Sequence, residues 1–125
     1  MSRRAVSADV ARLGAYSSAI IAEGRFVYVS GQGPLRDGRY EPGGGVADET
    51  RLTLENVFAI LAAAGCGPGD VVRCGVFLVD IGDFEEMNGA YAAAFPDPPP
   101  ARTTVQVGGL PGGIRVEIDC VAVLP

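Results

Sequence analysis

The sequence contains no histidine, no lysine and no tryptophan. Without histidine there is no Ser–His–Asp triad, no Cys–His pair, no HExxH zinc site and no imidazole base. Without lysine there is no Schiff-base nucleophile and no P-loop lysine. Any catalysis falls to carboxylates, arginine, hydroxyls, thiols, backbone amides and water. Positive charge is also short. Ten arginines face fifteen acidic residues, for a net charge of −5, whereas nucleic-acid binding draws on a positive field that releases counterions. No run approaches the roughly 18 apolar residues of a membrane span. Arg3 and Arg4 resemble the start of a signal peptide, but the apolar block behind them, Ala19–Ala22, is shorter than the roughly 7–15 residues required. The three cysteines, Cys66, Cys74 and Cys120, form no CxxC pair. Their odd number and spacing favour a reducing compartment over a disulfide framework. The expectation is a cytoplasmic protein with no membrane and no nucleic-acid partner.

What is present is a chain of 125 residues, 48% hydrophobic and 20% charged. That is one domain, residues 1–125, able to bury a single core. Ser17–Ala22 and Arg25–Ser30 are apolar runs joined at Glu23-Gly24 and read as a hairpin. Gly31–Gly45 is glycine-rich loop, with a short strand around Arg39–Glu41. Thr50, Leu54, Val57, Leu61 and Ala64 define one face of a helix over Ala47–Ala64, with Asp48 as N-cap and Gly65 as the residue after its end. Val71–Val79 reads as a central strand. Asp83 and Glu86 have capping-box spacing, and Phe84, Met87, Tyr91 and Phe95 continue a second helix up to Pro96, its aromatic residues read as core. Ala101–Val107 and Val116–Leu124 are the closing strands.

This order implies an α+β fold, a two-layer sandwich of a mixed sheet with two helices on one face. The closing strands carry apolar residues on both faces, yet two helices cover only one. The second face is therefore expected to be buried by other copies of the chain.

Few motifs survive inspection. Gly31-Gln-Gly33 follows a strand, but Arg36 takes the third glycine position and no helix begins there, so a dinucleotide fingerprint fails. Cys66 sits past a helix end and is expected to be exposed and unreactive, while Cys74 and Cys120 read as small buried hydrophobes. Tyr16, Ser30 and Asn88 are polar groups beside apolar segments, each open to a capping or turn role. Arg102 shares a strand face with Thr104 and Gln106, and Glu117 shares one with Asp119. The plain reading of these charges is a salt bridge or solvent exposure. The alternative is that an oligomer interface buries them, in which case arginine beside a carboxylate suits recognition of a small carboxylic acid with acid/base help.

Several stretches resemble the Rid family, the YjgF-like reactive intermediate deaminases. They are Gly14-Ala-Tyr-Ser-Ser-Ala19, Val29-Ser-Gly-Gln32, Glu49-Thr-Arg51 with Leu54-Glu-Asn56, Asp80-Ile-Gly-Asp-Phe84 with Met87-Asn88, Pro100-Ala-Arg-Thr-Thr-Val105, and Leu110-Pro111 followed by Val116-Glu-Ile118. The resemblance implies a chorismate-mutase-like homotrimer with clefts between subunits. It also implies hydrolysis of small enamines and imines derived from amino acids, 2-aminoacrylate and 2-iminobutanoate, to 2-oxo acids and ammonia, with no metal and no cofactor. On the same ground Arg102 is the carboxylate-binding arginine and Glu117 the water-orienting acid. Tyr16, Ser30, Gly31, Asn88 and Thr104 are the other cleft positions, Thr104 chiefly through its main chain. Ala15 stands where the family usually has proline, Ser18 where it has glutamine and Thr104 where well-known deaminases have cysteine, changes that bear on pocket size and substrate. The competing expectations are a non-catalytic carboxylate-binding or chaperone-like protein of the same fold, or a deaminase specialised for a larger substrate.

Overall fold

The computed structural model describes residues 3–125. The elements are β1 (Arg3–Val6), β2 (Ala19–Ala22), β3 (Phe26–Gln32), β4 (Leu35–Arg36), β5 (Arg39–Tyr40), α1 (Val46–Ala63), β6 (Val71–Leu78), α2 (Phe84–Ala94), β7 (Ala101–Gln106) and β8 (Val116–Val123). The main sheet runs β3-β8-β6-β7. β8 is antiparallel to both neighbours, and β6 is parallel to β7. A parallel pair needs a long crossover, and α2 supplies it. The expected two-layer α+β architecture is thus present.

The expected hairpin is not. β2 pairs with β1, while β3 pairs with β8. Gly24 has φ +131°, outside the values of a two-residue hairpin turn, so it makes a corner between sheets rather than folding the chain back. β1 escapes a reading by pattern because its sequence, RRAV, opens on two charges. The loop after β3 holds the short β4–β5 pair, and the Asn56 amide of α1 donates to the carbonyls of Gly33 and Leu35 to pin it.

α1 begins one residue earlier than expected. Its N-cap is Gly45 at φ +91° with no side-chain cap. Asp48 lies inside the first turn, where it favours the positive end of the helix dipole and pairs with Arg51. Leu54, Val57 and Leu61 are buried as the periodicity implies, and Ala64 is exposed. The helix ends as its composition suggests: Gly65 takes φ +85°, and the N–H groups of Gly65 and Cys66 bond the carbonyls of Ala62 and Leu61. This is a Schellman closure. It turns Cys66 inward, so that residue is buried rather than exposed. In α2 the expected capping box does not form. Asp80 instead accepts from the Gly82 N–H in the preceding turn.

The core lies between the helices and one sheet face. Val116, Ile118, Cys120 and Ala122 of β8 meet Val57, Leu61, Met87 and Tyr91 in one cluster. Ile118 is fully buried at its centre. The opposite face is open, with Phe26 and Tyr28 of β3 and Val105 of β7 exposed. Cys74 and Cys120 are direct cross-strand neighbours on the covered face. Burial pushes the Cys74 thiol up to about 11 and that of Cys120 up to about 12, since desolvation disfavours the thiolate.

Ile118→Ala should cost about 2–5 kcal/mol by emptying a filled site, read as a lower urea midpoint with an unchanged slope. The thiols give a second expectation. They are protonated in the folded state beyond the pH at which an unfolded cysteine ionises, so stability is complete below about pH 9. It should fall as the pH rises towards 11 and above, and Cys74→Ala should flatten that decline in urea titrations at successive pH values.

Candidate functional site

The seven predicted site residues fall into two groups. The first surrounds Arg102, early in the edge strand β7. Its side chain points to the helix-covered side, in register with Cys74 of β6. Its guanidinium carbon lies 4.7 Å from the ring centre of Tyr91, 5.4 Å from that of Phe84 and 5.5 Å from that of Tyr16. Asn88 of α2 reaches the same corner. Its Oδ1 accepts from the Ala15 N–H at 3.1 Å, and a Cβ on Gly14 would stand 2.8 Å from Arg102 Nη2 and 3.2 Å from Asn88 Oδ1. Gly14 therefore permits the loop to close over the arginine. Tyr16 is held by the Leu13 N–H, which donates to its hydroxyl, and by the Ser17 N–H, which bonds the Pro100 carbonyl.

This corner holds unmet polar capacity. Arg102 makes no salt bridge among the described residues. Its Nη1 is buried without a hydrogen-bond partner, and so is the Thr104 hydroxyl two residues along the same strand face. Buried polar groups are normally paired, and an orphaned one calls for an explanation. Desolvation lowers the Arg102 pKa, but a guanidinium stays charged. The main chain adds to the supply. The Val107 N–H bonds the Leu78 carbonyl, so odd-numbered residues of β7 face β6. The N–H and C=O groups of Arg102 and Thr104 then face outward, since bonding in a parallel ladder alternates along the strand. The corner is thus a cationic rim with unpaired donors and no carboxylate partner among the described residues, suited to a small carboxylate.

The second group surrounds Glu117. This residue pairs in register with Phe77 of β6 and projects from the open sheet face. Ser30 and Gly31 lie where β3 slips register against β8, between Val29 and Gln32. Such a bulge re-aims local groups. Glu117 lies directly on the Gly31 backbone, and a Cβ on Gly31 would overlap its Oε2. The Glu117 carboxylate makes no ion pair among the described residues. Its neighbour Asp119 is committed elsewhere, accepting from the Gly75 N–H at 3.0 Å.

The expectation of a salt bridge between the closing strands is overturned. β6 lies between β7 and β8, and the two side chains leave opposite faces of the sheet. Within one chain, Arg102, Tyr16, Asn88 and Thr104 come together, as do Glu117, Ser30 and Gly31, but the two groups do not. A hollow of about 730 Å³ beside α1, lined by Arg36, Tyr40, Asp48 and Glu49 among others, contains none of them.

Two residues read as core also belong here. Phe84 and Tyr91 do pack inward, yet both present ring faces to Arg102. Their spacing of four and three residues from Asn88 places all three on one side of α2, a signal present in the sequence. Among the described residues no group of three or more His, Cys, Asp or Glu is arranged to hold a metal, and no helix is long and apolar enough to cross a membrane.

Comparison with known proteins agrees with this architecture. Residues 6–124 match the family model described as endoribonuclease L-PSP. The chain is 43% identical to protein DfrA of Myxococcus xanthus over 98% of its own length and 97% of that protein's. It is 44% identical to the 2-iminobutanoate/2-iminopropanoate deaminase of Rattus norvegicus, over 90% and 82% of the two chains. Among solved structures, RidA from the Antarctic bacterium Psychrobacter superposes with a TM-score of 0.76 at 36% identity, covering 91% of this chain and 92% of that one. Yeast Mmf1 does so at 0.76 and 33%, covering 99% and 100%. With its fold, its motifs and nearly its whole length matched, the chain belongs to the YjgF/Rid family, whose model carries the name endoribonuclease L-PSP.

Proposed function

We propose that this protein is a cofactor-independent deaminase that hydrolyses small 2-imino acids, and the enamines that tautomerise to them, into 2-oxo acids and ammonia. The observation that carries the reading is the buried, unpaired Nη1 of Arg102, inside a corner that offers donors and no counter-charge. The substrate carboxylate supplies the missing acceptor through two parallel N–H···O bonds. Each charge-assisted bond contributes roughly 1.5–3 kcal/mol. Tyr16 and Asn88 close the corner, and Thr104 adds its outward main chain and its free hydroxyl.

The general base arrives from a second copy. Glu117, with Ser30 and Gly31, occupies the exposed face that the hydrophobic pattern marks for burial, so one subunit presents its open face to the β7 rim of the next. A cyclic homotrimer satisfies this head-to-tail arrangement with three equal sites. In each, Glu117 takes a proton from a bound water as its oxygen adds to the imine carbon. Glu117 returns that proton to nitrogen, which gives a carbinolamine. The carbon–nitrogen bond then breaks as the hydroxyl oxygen forms the carbonyl, and the hydroxyl proton passes through Glu117 to the departing nitrogen, which leaves as ammonia. A positioned base supplies about 10²–10⁴-fold, which suffices for imines, since these hydrolyse unaided. No histidine, lysine or metal is required. The net charge of −5 disfavours RNA as the substrate, despite the name of the family model.

Turnover of 2-iminobutanoate, generated in place by an amino-acid dehydratase and followed as 2-oxobutanoate release, tests the reading. Arg102→Ala and Glu117→Gln should each lose at least 100-fold while remaining folded. Co-refolding the two inactive variants in equal amounts should restore about a quarter of wild-type activity, because random assembly in a cyclic oligomer gives one site in four both intact residues. No recovery on mixing would exclude a site shared between subunits. Wild-type turnover by Arg102→Ala would exclude the carboxylate clamp.

A further inference from the structure

Arg102 is held by aromatic faces instead of by an acid. Tyr91 is the nearest of the three rings, at 4.7 Å, and it is fully buried. It cannot shift. Phe95 lies behind it with ring centres 4.7 Å apart, and Phe95 in turn meets Phe58 of α1 edge-on at 5.3 Å. A chain of rings therefore runs from α1 through α2 to the guanidinium. We propose that Tyr91 is a positioning residue for carboxylate recognition, its ring fixing the plane of the Arg102 guanidinium so that the buried Nη1 meets the ligand in alignment. This inference rests on the carboxylate-binding reading above.

The physical reason lies in what the alternatives would cost. A carboxylate under Arg102 would orient it equally well but would compete with the ligand for the same donors. A π face attracts the cation and leaves its N–H edge free. Tyr91 also keeps this character across the working pH range, because burial and the nearby Cys74 thiol push its hydroxyl pKa well up. The ring stays uncharged. A merely space-filling residue would keep the core intact yet let the flexible guanidinium sample several planes, of which one accepts both carboxylate oxygens.

The test measures 2-oxobutanoate affinity by calorimetry, with KM and kcat on 2-iminobutanoate, for Tyr91→Phe, Tyr91→Leu and Leu54→Ala. Leu54 is an equally buried core residue of α1 and controls for stability alone. Tyr91→Phe keeps the ring and should bind within about threefold of wild type, whereas Tyr91→Leu should bind about tenfold or more weakly. KM should rise in step with that loss. Leu54→Ala should lower the melting temperature without weakening binding. If Tyr91→Leu does not fold, Tyr91→Met is read by the same criteria. Wild-type affinity in the aliphatic variants, or equal loss in Leu54→Ala, overturns the positioning role and leaves the carboxylate site standing. Absence of 2-oxobutanoate binding by the wild type overturns both.

Discussion

A partly buried positive charge with no negative partner among the described residues is the constraint around which this molecule is organised. Transfer of an unpaired ion into a low-dielectric setting is costly, and single-domain proteins rarely retain one. Here the cost at Arg102 is moderated by three ring faces and by its place on an edge strand, where it is only partly buried. Neither device neutralises the charge. The fold therefore keeps a standing demand for an anion at one location, and the elements around it serve to hold that location still. Gly14 lets the preceding loop close, Asn88 ties that loop to α2, and Phe95 buttresses the nearest ring.

The sheet imposes the second constraint. Side chains of successive residues leave opposite faces, and β6 separates β7 from β8, so no rotamer of Arg102 and Glu117 unites them in one chain. Two glycines shape the open face. Gly31 lets the Glu117 carboxylate lie on the backbone, and Gly75 leaves room for Asp119, whose Oδ1 would stand 2.5 Å from a Cβ there. The two acids thereby acquire different roles. Asp119 is occupied by a backbone N–H, and Glu117 is left with free acceptor capacity beside a bulge. In the proposed head-to-tail assembly, this free carboxylate is the group that one subunit brings to the next.

Much of this was legible in the residues, and what was not has identifiable causes. Strand and helix identities from Val46 onward follow from strong periodicity and from Gly65 and Pro96 as stops. The parity of Arg102 with Thr104, and of Glu117 with Asp119, follows from alternation alone. Parity does not say which face is which, nor which strand separates which, because strand order is a long-range property. The same limit explains the hairpin: Glu23-Gly24 looks like a turn locally, and only the distant partners β1 and β8 decide otherwise. Asp48 fails as a cap because Gly45 and Val46 already start the helix. Phe84 and Tyr91 read as core because an aromatic at helical spacing carries no mark of a cation on its other side. The family resemblance supplied the grouping of Tyr16, Asn88 and Arg102, which lie far apart in sequence.

One departure from the family's usual pattern has a direct physical consequence. Where the family commonly places proline, this chain has Ala15, and alanine keeps the backbone N–H that proline lacks. That N–H donates to Asn88 Oδ1. An amide side chain has one carbonyl and one amino end, so engaging the oxygen turns the amino group of Asn88 away from the loop as a donor. With proline at position 15 the carbonyl would be free and the amide could present either end. The substitution thus biases the corner further towards donors, in the same direction as the unpaired Nη1 of Arg102 and the unpaired hydroxyl of Thr104. Ala15 acts by occupying the Asn88 carbonyl, and Thr104 places an unpaired hydroxyl on the same strand face as Arg102. Hydrogen-bonding sites discriminate more steeply than apolar ones, because an analogue lacking the acceptor leaves buried donors unpaired. Under the proposed function, such a corner would favour small acids whose reacting end is polar over those that merely fill space.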